Sequence, residues 1–316
     1  MRTFLILSLI TVGLSFGVSQ IASAVCMDDG DTPEGGNIIN CPAPVQNGPL
    51  TTGTVPNTTN LADEVNVPAG GGIDIPLGSA IDTAEGNDIV TVDGGTLIAN
   101  TQAIDTDDGD DTVIVNSGTI VSRLVQAIQA PNDNNTITVN GGLLTAGNEV
   151  IQTGGGIDKI TINGGTFISD DDHIINSGGG NDMVTLNGGI YIKGIDEAID
   201  LGSGNDILTF GADIDLDGGF VECGDGFDTL VFAMEVPEEA VGFISSQILG
   251  SNPAGDSVVI NDITYEWQNC ELLVPDLNGV RVVRPIPTLS EWGLIAMAGV
   301  LGIVGLLAVR RKTISA

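Results

Sequence analysis

Four glycine-rich turns place an aspartate at the same point. They are Thr153-Gly154-Gly155-Gly156-Ile157-Asp158, Ser177-Gly178-Gly179-Gly180-Asn181-Asp182, Leu201-Gly202-Ser203-Gly204-Asn205-Asp206 and Cys223-Gly224-Asp225-Gly226-Phe227-Asp228. Carboxylates and turn carbonyls are hard oxygen donors, the set that Ca²⁺ takes. Asp158, Asp182, Asp206 and Asp228 are therefore candidate calcium ligands. Asp88, Asp111 and Asn135 fill the same position earlier, and successive members lie 22 to 24 residues apart. In a solenoid with one member per coil, these carboxylates would stack about 4.8 Å apart. Neighbours would then repel by roughly 1 kcal/mol in water and about 3–4 kcal/mol at an effective dielectric of 20. Either the ladder is exposed and splayed, with its oxygens accepting turn N–H bonds, or a cation sits between coils. The plainer reading, that Asp and Asn serve only as turn formers, is preferred.

No catalytic constellation stands out. A glycosidase needs two placed carboxylates, and here acids occur on every turn. Asp107-Asp108 and Asp170-Asp171-Asp172 read as solvated turns. The basic residues Arg123, Lys159 and Lys193 do not line up beside one acidic cluster. His173, the single histidine, falls in an outward polar column with Ser79, Gln102, Gln126, Glu149 and Glu197. The four cysteines include no Cys-x-x-Cys, so a metal cluster is not expected, and disulfides suit an oxidising compartment. Three pairings are possible. Cys26–Cys41 with Cys223–Cys270 is preferred, because each pair falls within one end region.

Charge narrows the partners. The chain has 42 acidic and 9 basic residues, for a net charge of −33, and every acid but Glu291 lies between residues 25 and 285. Such a body repels nucleic acid and anionic lipid and attracts divalent cations. Nucleic acid is excluded as a partner. Acidic polysaccharides are poor ones unless calcium bridges them.

The elements that would position these residues follow from a repeat. Ala80-Ile81-Asp82-Thr83 recurs as Ala103-Ile104-Asp105-Thr106, Ala127-Ile128-Gln129-Ala130, Val150-Ile151-Gln152-Thr153, Ile174-Ile175-Asn176-Ser177 and Ala198-Ile199-Asp200-Leu201. Each is followed by a Gly/Asp/Asn turn and an alternating strand. Abundant glycine, β-branched residues and the absence of a 3.6-residue period exclude helical repeats. The fold class is all-β: a parallel β-helix over 65–232, with 23–24 residues and three short strands per rung.

Val90, Val113, Ile137, Ile160, Val184, Leu208 and Leu230 form one inward column. Val92, Val115, Val139, Ile162, Leu186, Phe210 and Phe232 form another two residues on, with threonines between them pointing outward. A third stripe, Leu97, Ile120, Leu144, Phe167 and Tyr191, suits the core better than the surface, although its flanking columns are also partly apolar. Ile73-Asp74-Ile75 is expected opposite Thr96-Leu97-Ile98. Irregular caps over 25–64 and 233–284 should cover the open ends. The second would hold a short helix at 241–249 and closing strands over 258–267.

With the following residues, the four turns are close to G-G-x-G-x-D-x-U-x and resemble the calcium-binding nonapeptide of RTX (hemolysin-type) proteins. The resemblance implies Ca²⁺ shared by Asp oxygens and turn carbonyls of neighbouring coils. Here the copies are 22 to 24 residues apart instead of nine, and Asn135 interrupts the series.

The chain ends read as export signals. Arg2, an apolar run from Phe4 to Val18 and Ala22-Ser23-Ala24 describe a signal peptide over 1–24, cleaved after Ala24. Ala24 and Val25 before Cys26 argue against lipidation of that cysteine. At the other end, Ile286-Pro287-Thr288-Leu289-Ser290-Glu291-Trp292-Gly293 precedes an apolar run to Val309 and the cluster Arg310-Arg311-Lys312. The run is at the short end of what spans a bilayer, and the basic cluster would lie on the cytoplasmic side.

Residues 285–316 resemble the IPTL-CTERM sorting signal, in which Ile286, Pro287, Thr288, Leu289, Trp292 and Gly293 are the motif positions. The resemblance implies a transmembrane helix that holds the precursor in the inner membrane until an exosortase-type enzyme processes it. The function expected is that of a non-catalytic structural or adhesive surface protein, working within extracellular polysaccharide or a biofilm matrix. The rivals are a polysaccharide lyase or glycoside hydrolase and a calcium-binding RTX-like surface protein.

Overall fold

The computed structural model describes residues 26–41, 46–47, 59–193, 197–212, 214–234 and 256–275. It is an all-β parallel solenoid of about seven turns, with no helix among the described residues. The central coils have three strands each. One coil runs through Thr136–Val139, Leu143–Ala146 and Ile151–Thr153. In two earlier coils the first and second strands join into single strands, Ile89–Ala99 and Thr112–Ser122.

The two core columns stack as read from the sequence. Val90 pairs with Val113, Val113 with Ile137, Ile137 with Ile160, and so on through Val184 and Leu208 to Leu230. All are essentially without solvent exposure. Alternation with one buried face specifies this register, because a slip of one residue would turn every apolar side chain outward. The third stripe also faces inward, and Phe167 stacks on Tyr191 with centroids 5.3 Å apart. The Tyr191 hydroxyl satisfies itself by donating to the Gly188 carbonyl.

One register differs from expectation. Ile73 lies opposite Leu97 and Asp74 opposite Ile98, with Gly72 opposite Thr96. The shift of one residue puts Ile73 and Leu97 together inside, both fully buried, whereas the expected pairing would have set Asp74 against Leu97 in the core. Stacking also begins earlier than Val65: Ile39 pairs with Val65 in parallel.

The far end closes as a hairpin. Asp256–Ile260 runs antiparallel to Ile263–Gln268, and Asn261 and Asp262 both take positive φ in the two-residue turn, as a type I′ hairpin requires. Tyr265 and Trp267 from this hairpin cover Phe210 and Phe232 edge-on. The cysteines pair as Cys26–Cys41 and Cys223–Cys270. The first bridge occupies the thiol that lipidation would need. The second ties the strand Phe220–Glu222 region to the closing hairpin. The short helix expected at 241–249 lies outside the described residues, as do residues 1–24 with Ala22 and Ala24, and 285–316 with the motif and its basic cluster.

Candidate functional site

The aspartate series forms a buried ladder, the expected repeat of one member per coil but not the exposed, splayed one. Each carboxylate accepts the backbone N–H of the equivalent residue one coil earlier. Asp63 donates to Asp88, Asp88 to Asp111, Asp111 to Asn135, Asn135 to Asp158, Asp158 to Asp182, Asp182 to Asp206 and Asp206 to Asp228, at 2.6 to 3.0 Å. Asp228 N–H closes the series by donating to Glu271. The ladder residues from Asp63 to Asp228 are 0 to 2% exposed. Each ladder carboxylate thus helps hold two coils in register.

One oxygen per carboxylate is left over. Oδ2 of Asp88, Asp111, Asp158, Asp182, Asp206 and Asp228 is buried without a hydrogen-bond partner. The Asn135 coil shows what the leftover position asks for. There the amide nitrogen donates to the carbonyls of Ala130 at 3.1 Å and Asn132 at 2.7 Å. In the aspartate coils a hydroxyl neighbours the carboxylate, that of Thr83 for Asp88, Thr106 for Asp111, Thr153 for Asp158 and Ser177 for Asp182. A buried carboxylate oxygen that no donor fully satisfies favours a proton or a cation beside it.

Burial pushes these acids up, against the opposing N–H bond from the preceding coil and, at Asp88, Asp111, Asp158 and Asp182, a neighbouring hydroxyl. Asp88 and Asp206 rise to about 6, and Asp111, Asp182 and Asp228 to about 7. Asp158 shifts in the same direction, from the same cause.

The glycine-rich turns stack on each other as well. Gly155 bridges to Gly179 and Gly179 to Ser203, and Ser203-Gly204 pairs with Asp225-Gly226. Turn carbonyls accept across the coils, as Gly179 O does from Gly156 N–H and Ser203 O from Gly180 N–H. The donor set fits calcium in kind, with Oδ2 atoms that make no hydrogen bond and carbonyl oxygens in the same turns. It offers one free carboxylate oxygen per coil, because Oδ1 is committed to the N–H ladder.

Two further ladders flank this one. At the preceding residue, N–H groups donate the other way, to the earlier coil: Asn134 to Asp110, Ile157 to Asn134, Asn205 to Asn181 and Phe227 to Asn205. At an exposed corner, Asn187, Asn163, Asn140 and Asn116 pass side-chain amide bonds down to Asp93. The sequence reading missed this amide ladder. Its signal is the Asp or Asn that follows each residue of the second core column from Val92 to Leu186.

His173 sits in the polar column anticipated for it, but the column is recessed instead of open. Ser79, Gln126 and Glu149 are 9, 9 and 5% exposed. The His173 ring lies 2.8 Å from Asp172 through Nδ1 and 3.4 Å from Glu197 through Nε2. Ligand atoms of Glu149, Asp172 and His173 fall within 4.8 Å of one another, as do those of His173, Glu197 and Asp200. Asp172 is therefore part of a convergent group, not only a solvated turn. Arg123 is drawn elsewhere, to Asp74 at 3.2 Å.

Residues 284–311 match the family model described as the IPTL-CTERM motif. The motif marks a protein sorted to the cell surface through a C-terminal signal and implies processing by an exosortase-type enzyme. No curated protein and no solved structure matches the chain.

Proposed function

We propose that this chain is an exported, non-catalytic surface rod that works within extracellular polysaccharide or a biofilm matrix, as a structural or adhesive element. The observation that carries the reading is a sorting motif in the same chain as a β-solenoid. Hydrogen-bonded ladders knit that solenoid's turns from coil to coil. Its outer face repeats threonine at Thr138, Thr161, Thr185 and Thr209, in register one coil above another. A periodic row of hydroxyls and amides suits a repetitive glycan better than a single small molecule. The signal peptide over 1–24 and the transmembrane helix within 285–316 belong to the same reading.

Two rivals each have one supporting observation. The convergence of ionisable groups on His173 favours a polysaccharide-degrading enzyme, with the lining of that face as its site. The buried, unpartnered Oδ2 atoms favour a calcium-binding RTX-like surface protein, with Ca²⁺ held by Asp158, Asp182, Asp206 and Asp228.

Binding to a glycan array, together with assay of bound polysaccharides for new reducing ends or unsaturated uronates, separates these readings. Binding without cleavage is expected. Cleavage that is lost on mutating His173 would replace the rod reading with the enzyme. For the sorting step, deleting Ile286 to Trp292 is expected to trap the precursor in the inner membrane, scored by fractionation. Unchanged surface display in that variant would reduce the segment to an anchor.

A further inference from the structure

We infer that Glu149, Asp172 and His173 form a site for a late first-row divalent cation of the zinc type, independent of the aspartate ladder. The donor set is one imidazole and two carboxylates, which suits Zn²⁺ or its neighbours better than Ca²⁺ or Mg²⁺.

Four features point to an ion instead of a set of hydrogen bonds. First, His173 Nδ1 is buried and makes no hydrogen bond, although Asp172 Oδ1 is only 2.8 Å away. The same Asp172 Oδ1 accepts the His173 backbone N–H at 3.0 Å, which holds the carboxylate on the Nδ1 side of the ring. Bonds of 2.0–2.2 Å in tetrahedral geometry put ligand atoms roughly 3.3–3.6 Å apart. Each of the three residues has a donor atom within 4.8 Å of the others, and the His173–Asp172 pair would open slightly to admit an ion.

Second, Glu149 is a carboxylate at 5% exposure with its orientation fixed from outside the site. Gln126 Nε2 and Asn148 Nδ2 both donate to its Oε2, at 2.7 and 2.6 Å. Its other oxygen has only a long contact with Gln152, at 3.5 Å. Third, Asp172 is held by the Ser169 hydroxyl, which bonds both its N–H and its carbonyl.

The fourth feature is the far side of the ring. His173 Nε2 faces Glu197 Oε1 at 3.4 Å. A metal on Nδ1 leaves the proton on Nε2, where Glu197 would accept it. Such carboxylate–histidine–metal arrangements fix the tautomer and raise ligand basicity. Glu197 therefore acts as a positioning residue, and Glu149, Asp172 and His173 as ligands. Asp172 is 27% exposed, which leaves room for solvent in the remaining coordination positions.

The test uses the full-length protein, purified without a polyhistidine tag and labelled with ¹⁵N-histidine. Because the chain has one histidine, it gives one imidazole spin system. Adding Zn²⁺ is expected to shift Nδ1 strongly while Nε2 keeps its proton, and Co²⁺ should bind one per chain with a tetrahedral-type visible spectrum. His173→Asn should weaken Co²⁺ binding at least 100-fold, and Glu149→Gln or Asp172→Asn about 10- to 100-fold. Glu197→Gln should cost about 10-fold. The Asp182→Asn/Asp206→Asn variant should bind as the wild type does. Imidazole signals that stay unmoved by millimolar Zn²⁺ would overturn the site, and they need no variant to fold. So would wild-type Co²⁺ affinity in His173→Asn, which would place the ion elsewhere.

Discussion

Alanine at Gly180 is expected to be among the most damaging single-methyl changes in the solenoid. A Cβ built on Gly180 would lie 1.3 Å from the carbonyl oxygen of Gly156 in the coil before it, and φ at Gly180 is 142°. The clash is with backbone, so no rotamer change relieves it, and the coils must part to admit the methyl group. Parting them would stretch both the turn bridges and the ladder bond from Asp158 N–H to Asp182. A loss of roughly 3–5 kcal/mol follows from a backbone conformation closed to side chains combined with broken buried hydrogen bonds.

Gly155, one position earlier in the preceding turn, provides the control. A Cβ there meets only Gly179 O, at 4.0 Å, with no strained φ. Gly155→Ala should leave stability within about 1 kcal/mol of wild type, or slightly raise it by restricting the unfolded chain. Urea denaturation followed by far-ultraviolet circular dichroism compares the two. Equal midpoints for Gly180→Ala and Gly155→Ala would mean that the turns do not stack as closely as described.

Raising the pH from about 4 to about 8 in EDTA is expected to lower the melting temperature. An aspartate in the unfolded chain titrates near 3.9, whereas burial raises Asp88 and Asp206 to about 6 and Asp111, Asp182 and Asp228 to about 7 in the folded protein. Between those values the folded state holds protons that the unfolded state has released. The ladder's contribution is therefore fully present below about pH 3.9 and is lost as pH rises through 6 to 7. Asp105, on another face, rises to about 7 by burial and by its neighbours Asp107 and Asp82, and adds in the same direction.

The ladder's own share is isolated by Asp182→Asn with Asp206→Asn. Asn135 shows that an amide fits this position, its Oδ1 keeping the acceptor for the Asp111 N–H and its nitrogen donating to two carbonyls. The double variant should match or exceed wild type at pH 8 and show a flatter profile. A wild-type profile that is flat, or one equally steep in the double variant, would remove the ladder as its cause.

The same melts test calcium. If Ca²⁺ takes the place of the protons, it should raise the melting temperature with concentration at pH 8 and have little effect near pH 4, with Mg²⁺ ineffective. The double variant should lose that response. No calcium-specific shift would leave Asp158, Asp182, Asp206 and Asp228 as turn and register residues.

The sequence alone determined the coil. Val90 and its column are spaced by one coil and alternate with outward residues, and a half-buried strand with that pattern has one register that keeps its apolar face inside. The cysteine pairing was legible for a similar reason: each pair belongs to one end of a solenoid, where few partners are within reach.

The tertiary structure decided what depends on contacts between coils. Whether Asp182 faces solvent or the interior is set by how its turn curls over the neighbouring turn, and the local sequence reads the same either way. Ile73 slipped by one residue because burying it beside Leu97 keeps Asp74 out of the core. His173 looked ordinary in its own segment. Its surroundings come from Glu149 one coil before and from Glu197 one coil after, together with an adjacent aspartate that the repeat pattern had assigned to a solvated turn. Stacking coils about 4.8 Å apart brings these groups together, and no single segment of the sequence carries that proximity.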